Sequence, residues 1–308
     1  MSTDNGGVTH FFGRRRKSAV AAVIAVGAVT LAACGSSSSP SGTGTTAAPA
    51  AGSPASLVPA SIKQLGTIQI AADASYAPNE FIGTDGKTIV GMDVDLGNAI
   101  MKELGLKAQW TNAPFDSIIP ALQAGKYQLG ISSFTDNKAR EKVVDFVTYF
   151  TAGTSWAVPT GNPKNISIDN ACGFKVAVQT GTVEVPDIEQ RSKACTTAGK
   201  PAITIDQYQL QSDATTAVVT GKDDAMLADS PVTGYAVSQS GGKLQLLGQS
   251  YANAPYGIAV PKNEGTFKNA ILAAIKVLMQ NGTYQSVLGK WGVQSGAITN
   301  PVINGATS

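Results

Sequence analysis

The chain has 308 residues, 43% of them apolar and 14% charged, a composition that builds packed cores and excludes a disordered or coiled-coil protein. Its formal charge of +2 rests on Arg14, Arg15, Arg16 and Lys17; without residues 1–33 the balance is 23 − 4 = 19 basic against 21 − 1 = 20 acidic, so about −1, which excludes the basic face that nucleic acid requires. The single histidine, His10, falls in the same segment, so Ser-His-Asp and Cys-His catalysis and His-ligated metals are excluded from the rest, while carboxylate-only catalysis stays open.

Arg14 to Lys17 followed by the small apolar run Ser18 to Ala33 predicts a secretory leader over residues 1–33, the run being short for a membrane span. It ends Leu31-Ala32-Ala33-Cys34-Gly35, which resembles the bacterial lipobox and implies acylation, of the palmitate type, at Cys34. No charged residue occurs from Gly35 to Ile62, and residues 34–60 are expected to be a flexible tether. The arrangement implied is a head held by lipid on the extracytoplasmic face of the cell membrane.

The folded part is expected from near Ser61. Thr67 to Ala72 reads as a strand, and Gly91-Met92-Asp93-Val94-Asp95-Leu96 opens a helix whose Leu96, Ile100 and Leu104 recur every four residues before Gly105. A helix cap or first-turn acid accounts for at least one of Asp93 and Asp95 more simply than a metal or acid–base pair does. Leu106 to Thr111 reads as a strand and Phe115 to Gly125 as a helix.

Gly130 to Phe146 reads as a strand feeding a loop and then a helix, carrying Ser132, Ser133, Thr135, Arg140 and the apolar pair Val143-Val144. Ligand crevices of open α/β sheets lie at the carboxyl ends of strands. The stretch therefore puts hydroxyls and one planar guanidinium at a crevice mouth, where Arg140 matches a carboxylate; a solvated helix arginine is the alternative, and this stretch alone leaves both open.

Ser155 to Val158 is a further predicted strand. A second unit follows: strand Lys175 to Gln179, turn Thr180-Gly181-Thr182, helix from about Val183, strand Ile203 to Ile205, helix Gln207 to Thr220, strand Ala225 to Leu227, strand Leu244 to Leu247 and an extended run from Asn253 to Pro261. A helix with Phe267, Ile271, Ile275 and Leu278 on one face and a short one over Tyr284 to Trp291 close the pattern, with no internal repeat. Alternating strands and helices imply an α/β fold with parallel pairing and crossover helices. Outside the cytoplasm Cys172 and Cys195 are expected to pair, closing a loop of 195 − 172 + 1 = 24 residues; two buried thiols are the alternative.

Asp73-x-x-Tyr76-x-Pro78-x-Glu80-Phe81, Gly91-Met92-Asp93-Val94-Asp95-Leu96, Phe115-Asp116-Ser117-Ile118-Ile119-Pro120-Ala121-Leu122, Thr135-x-x-x-x-Arg140 and Asn281-Gly282-Thr283-Tyr284 with Trp291 match one family in order. Over roughly residues 67–292 the chain resembles the polar amino-acid-binding proteins of ABC importers, the group that contains the glutamine-, histidine- and lysine/arginine/ornithine-binding proteins. The resemblance implies a two-lobe periplasmic-binding-protein fold of type II, each lobe a mainly parallel sheet flanked by helices. Lobe 1 is expected over 60–158 plus 257–300 and lobe 2 over 159–256, with hinges near Val158 and Tyr256. It also implies a monomeric protein, not an enzyme, that needs no cofactor or metal. Such a protein closes on a free amino acid of the glutamine, arginine, lysine or histidine class and delivers it to an ABC permease.

By the same resemblance Arg140 grips the α-carboxylate with Thr135 and backbone N–H groups near Thr182, and Asp229 binds the α-ammonium. Ser132 and Ser133 assist, Tyr76 and Phe115 sandwich the side chain, and Asp73 reaches its polar end beside Gln179 and Glu184. A strand-end cap is the alternative for Asp229, and lobe core for the two aromatics. Asn79, Asn137 and Ala228 depart from many relatives and cloud side-chain specificity, while the lack of a second arginine argues against glutamate. Two rival readings stand beside this one: a cyclohexadienyl (arogenate or prephenate) dehydratase on the same fold, with Glu184 as its acid, and an amino-acid-sensing lipoprotein without transport.

Overall fold

A computed structural model describes residues 52–307. The expected leader, Cys34 and most of the tether lie outside the described residues. Regular structure starts earlier than Ser61. A 3-10 turn at Pro54–Leu57 leads into α1 (Ala60–Leu65). Val58 and Ile62 have apolar surface to bury and do so in the main core, and Thr266 Oγ1 donates to the Leu57 carbonyl at 2.9 Å.

The chain continues through β1 (Thr67–Ala72), β2 (Ser75–Tyr76), β3 (Glu80–Ile82), β4 (Ile89–Val90), α2 (Met92–Glu103), β5 (Lys107–Asn112), α3 (Phe115–Gln123), β6 (Leu129–Gly130), α4 (Lys138–Glu141) and β7 (Val144–Pro159). After β7 come β8 (Lys175–Gln179), α5 (Glu184–Thr197), β9 (Thr204–Tyr208), α6 (Gln211–Val219), β10 (Ala225–Asp229), α7 (Ser230–Gln239), β11 (Leu244–Pro261), α8 (Phe267–Gln280) and α9 (Thr283–Trp291).

Eight strands form one sheet in the order β5-β1-β6-β11-β7-β10-β8-β9, and β2, β3 and β4 form a small separate one. Pairing is parallel where a helix crosses over, between β1 and its neighbours β5 and β6 and between β8 and its neighbours β9 and β10. The long strands β7 and β11 run antiparallel through the middle, with register shifts between Leu247 and Tyr251, Tyr251 and Ala254, and Tyr256 and Gly257. The apolar core gathers in two places. α2, α8 and α9 cover β1 and β6 with Leu96, Ile100, Phe267, Ile271 and Ile275. At the other end Trp156, Val176, Val178, Ile188 and Leu227 form a second core.

Several local expectations shift. Arg140 sits on a single turn, α4, and Val144 already belongs to β7, so the helix expected through Val143-Val144 is absent. The residues read as Ser155 to Val158 and as Leu244 to Leu247 are parts of the two long central strands. β9 extends to Tyr208 because it pairs with Gln179, which delays α6 to Gln211. α7, opened by Pro231, was not foreseen. Cys172 and Cys195 form a disulfide, their Cα atoms 5.5 Å apart.

Candidate functional site

β1, β6 and β10 all end at the same cavity between the two cores. The ten residues expected to touch a ligand (Asp73, Tyr76, Phe115, Ser132, Ser133, Thr135, Arg140, Gln179, Thr182 and Asp229) line this one tight space of about 10 Å³, together with Val183 and Glu184. That is room for about one water molecule. A larger open groove of about 450 Å³ along Pro78, Tyr235 and Trp291 contains no charged side chain among its lining residues and lacks the means to fix a charged solute.

Arg140 reaches across the cavity. Its Nη1 donates to the Thr135 carbonyl at 2.9 Å and its Nη2 to the Gly181 carbonyl at 3.0 Å. Its guanidinium stacks over Phe115 and Phe134, 5.4 and 5.6 Å from their centroids, and those two rings stack on each other. Asn137, one of the departures noted above, caps α4 by accepting from Arg140 N at 2.9 Å. Gly181 has φ +83°, and a Cβ there would lie 2.8 Å from Asp116 Cβ, so only glycine brings this carbonyl within reach of the arginine.

Asp229, at the end of β10, is buried opposite Arg140. It accepts from Tyr76 Oη at 2.8 Å, and the same hydroxyl receives Asp229 N at 3.2 Å. The Tyr256 hydroxyl is buried beside it, near enough to favour the ionised carboxylate. Burial, then the charge of Glu184, pushes the Asp229 carboxyl well above its usual range, against the pull of Tyr76 and Arg140. Burial likewise raises Glu184, which accepts from Thr154 Oγ1 at 3.0 Å. Burial lowers the Arg140 pKa, and Glu184 and Asp229 oppose that. Thr182 turns its hydroxyl to the Gln179 carbonyl at 2.9 Å, just before α5.

The remaining wall is cross-braced. Asp73 accepts from Ser75 N and Oγ, from Phe115 N at 3.0 Å and from Gln179 Nε2 at 3.1 Å. Ser132 Oγ donates to Glu80 at 2.9 Å and accepts from Asp73 N. Ser133, held at φ +51°, gives its N–H to Asp93 Oδ2 at 2.8 Å, and its hydroxyl accepts from Asn79. Asp93 also accepts from Tyr149 Oη at 2.8 Å. Gly91 holds the cap position without a side-chain bond, and Asp93 and Asp95 both lie in the first turn of α2, as the first-turn reading expects. Asp95 instead accepts from Lys290 and Trp291. Among the described residues no group of three or more His, Cys, Asp or Glu is arranged to hold a metal ion, and no helix is long and apolar enough to cross a membrane.

Residues 68–294 match the bacterial extracellular solute-binding proteins, family 3. The chain belongs to this family. Its two-lobe type II fold is the fold of the solved relatives. The Arginine-binding protein ArgT of Corynebacterium glutamicum is 37% identical over 249 residues, which span 80% of this chain and 81% of that protein. Among solved structures, an ancestral arginine-binding protein bound to arginine superposes with a TM-score of 0.68 at 33% identity, covering 73% of this chain and 98% of that one. The ancestral amino acid-binding protein AncCDT-1, described as a precursor of cyclohexadienyl dehydratase, gives 0.68 at 31% identity, covering 75% and 97%. That neighbour is itself named a binding protein, so the dehydratase reading has the weaker support; a solute-binding protein and not an enzyme is the class to which the chain belongs.

Sequence reasoning missed the Gly181 carbonyl, Phe134, Tyr256 and the Glu80–Asp93 pair. Glu80 stands inside a quoted motif without a role, and no local signal ties it to Ser132 and Ser133 more than fifty residues away.

Proposed function

We propose that this protein captures L-arginine for import through an ABC permease. The observation that carries this reading is the cavity that Arg140, between β6 and β7, and Asp229, at the end of β10, line together. A zwitterion satisfies both: its carboxylate takes the remaining N–H groups of Arg140, and its ammonium takes Asp229 and Glu184. Each charge-assisted hydrogen bond contributes about 1.5–3 kcal/mol net. The cavity holds three carboxyls, of Asp73, Glu184 and Asp229, against one guanidinium. A ligand of net charge +1 balances that set better than glutamine does, and glutamate worsens it. Gln179 Nε2 now bridges Asp73 and the Gln209 carbonyl; a cationic side chain replaces that donor on Asp73. The named arginine-binding relatives point the same way.

The two halves meet, in this proposal, at the irregular stretch of the central strands near Ala152–Thr154 and Tyr251–Tyr256. Hinge motion there opens and closes the cavity. Export by the leader and acylation of Cys34 would hold the protein, as a monomer, at the outer face of the cell membrane; a Cys34→Ser chain recovered from the medium instead of the membrane fraction is the expected outcome.

The test of the ligand is titration calorimetry with arginine, lysine, histidine, glutamine and glutamate. Arginine is expected to bind most tightly and glutamate not at all. Tighter binding of glutamate or of glutamine than of arginine would overturn the assignment.

A further inference from the structure

The family match ends at residue 294, yet the chain beyond it is built into the molecule. Val302 exchanges hydrogen bonds with Thr148 on β7: Thr148 N donates to its carbonyl at 2.9 Å, and its own N–H donates to Thr148 Oγ1 at 2.8 Å. Ile303 bridges Val147 and packs against the main core. Asn304 then turns the chain at φ +55°, a conformation that asparagine tolerates better than most residues. Its side chain accepts from Phe146 N at 2.8 Å and donates to Asp145 at 2.9 Å, and its backbone N–H donates to the Phe146 carbonyl at 2.9 Å.

That turn aims the next two amides at the segment that carries the arginine. Gly305 N donates to Asp136 Oδ2 at 2.7 Å, and Ala306 N donates to Glu141 Oε1 at 3.1 Å. Asp136 and Glu141 flank the loop and turn that hold Arg140. The other edge of this segment is fixed by β11, where Asp136 N donates to the Pro255 carbonyl at 2.8 Å and Thr135 bridges Tyr256. The Thr135 carbonyl in turn receives Arg140 Nη1. Asp136 is buried and outside the cavity lining, so it touches no solute itself.

We infer that residues 302–306 are a strap that positions Arg140, holding Asp136 and Glu141 so that the guanidinium enters the cavity in a fixed place. This rests on the reading that Arg140 holds the solute's carboxylate. The strap residues are positioning residues: their effect on binding passes through the 135–141 segment.

The test compares the full chain with a chain ending at Ile303, which keeps the Val302 and Ile303 contacts, with Gly305→Pro, which removes one donor and presses a Cβ against Val302 and Thr148, with Asp136→Ala, and with Asp136→Ala combined with the truncation. Arginine affinity is measured by calorimetry at 25 °C, amide hydrogen exchange is followed over residues 135–142, and thermal melts show which variants fold. Misplacing a binding group is expected to weaken arginine binding about tenfold in the truncated and Gly305→Pro chains, with faster exchange over residues 136–141. The combined variant is expected to be no weaker than the truncation alone, because the truncation already breaks the bond that Asp136 accepts from Gly305. Should the truncated chain not fold, Gly305→Pro decides. Unchanged affinity in the folded strap variants, with only the melting temperature lowered, would overturn the inference, as would effects that multiply in the combined variant. Arg140→Ala runs alongside: if it binds arginine as the parent does, the ligand reading itself has failed; if it loses binding while the strap variants keep theirs, the strap alone has failed.

Discussion

Glu80 and Asp93 lie beneath the Ser132-Ser133 loop, and Glu184 and Asp229 lie across the cavity from Arg140; each is a pair of buried carboxyls whose pKa values burial has raised. Their partners separate them. Glu80 and Asp93 face no cation and are surrounded by protein donors, from Ser132, Ser133 and Tyr149. Glu184 and Asp229 accept from Thr154 and Tyr76, with the Tyr256 hydroxyl beside Asp229, and have a guanidinium nearby. The first pair spends its hydrogen-bonding capacity on the scaffold, while the second retains capacity for a solute. Buried acid alone therefore does not mark a ligand site; the count of internal donors does.

The largest expected effect breaks the second region. Arg140→Ala removes the cation that faces Glu184 and Asp229 and the group proposed to hold the carboxylate. Truncating one side of a desolvated charge pair costs about 2–5 kcal/mol, so arginine affinity should fall roughly a thousandfold by calorimetry. Circular dichroism should show the fold intact, because Arg140 contributes to the scaffold only two bonds to carbonyls and its stacking on Phe115 and Phe134. Retained affinity would erase the distinction between the two pairs.

Next is the first region. Asp93→Ala leaves Ser133 N and Tyr149 Oη without their acceptor. Orphaned buried donors cost about 1–3 kcal/mol each, so a stability loss of about 3 kcal/mol is expected in denaturant unfolding. A loss under about 1 kcal/mol would mean that this pair is not the brace it resembles.

A smaller effect separates the regions by sign. Asp93 and Asp136 are each raised to about 6, mainly by burial, against about 3.9 in the unfolded chain. Between those values the folded state binds more protons, so their contribution to stability is fullest below about pH 4 and is lost as pH rises through about 6. Asp145 behaves oppositely. Burial raises it, but Lys268, Asn304 and Lys262 outweigh that and hold it at about 2, so its contribution disappears only as pH falls below about 4. The melting temperature of the apo protein should therefore be higher at pH 5 than at pH 7. Arginine binding should run the other way. A ligand ammonium requires Asp229 ionised, and Asp229 is raised, so affinity should weaken on acidification, by at most about tenfold per pH unit for one proton. Parallel trends in stability and affinity would show that the two regions titrate as one.

Much of the scaffold was legible. β1, α2, α3 and α8 carry their apolar spacing locally, and their burial follows it. β7 was legible only at Ser155 to Val158, because nearly all of its residues are buried on both faces, which erases the alternation that marks a strand. α7 was not, because its small and polar residues give no helical stripe. Arg140 was open to two readings from its own neighbourhood, and Asp229 drew its role from the family resemblance. The Glu80–Asp93 brace and the grip of Gly305 and Ala306 on Asp136 and Glu141 were invisible, since they join residues that only the completed fold brings together.

The smallest expected effect tests the first region most finely. Burial, and then the charge of Asp93, raises Glu80 well above the usual carboxylate range. Of the pair Glu80 is thus the member that keeps its proton to the higher pH, and its carboxyl accepts from Ser132 and Ser133. Glutamine has the same length and supplies the same donor and acceptor. Glu80→Gln should then change unfolding free energy by under about 0.5 kcal/mol, the range of a substitution that loses no contact, and leave arginine affinity unchanged. It should also flatten part of the pH dependence of the melting temperature, since one raised carboxyl is gone. A loss of about 2 kcal/mol or more would show that Glu80 is ionised, and that two adjacent buried charges are carried without a cation.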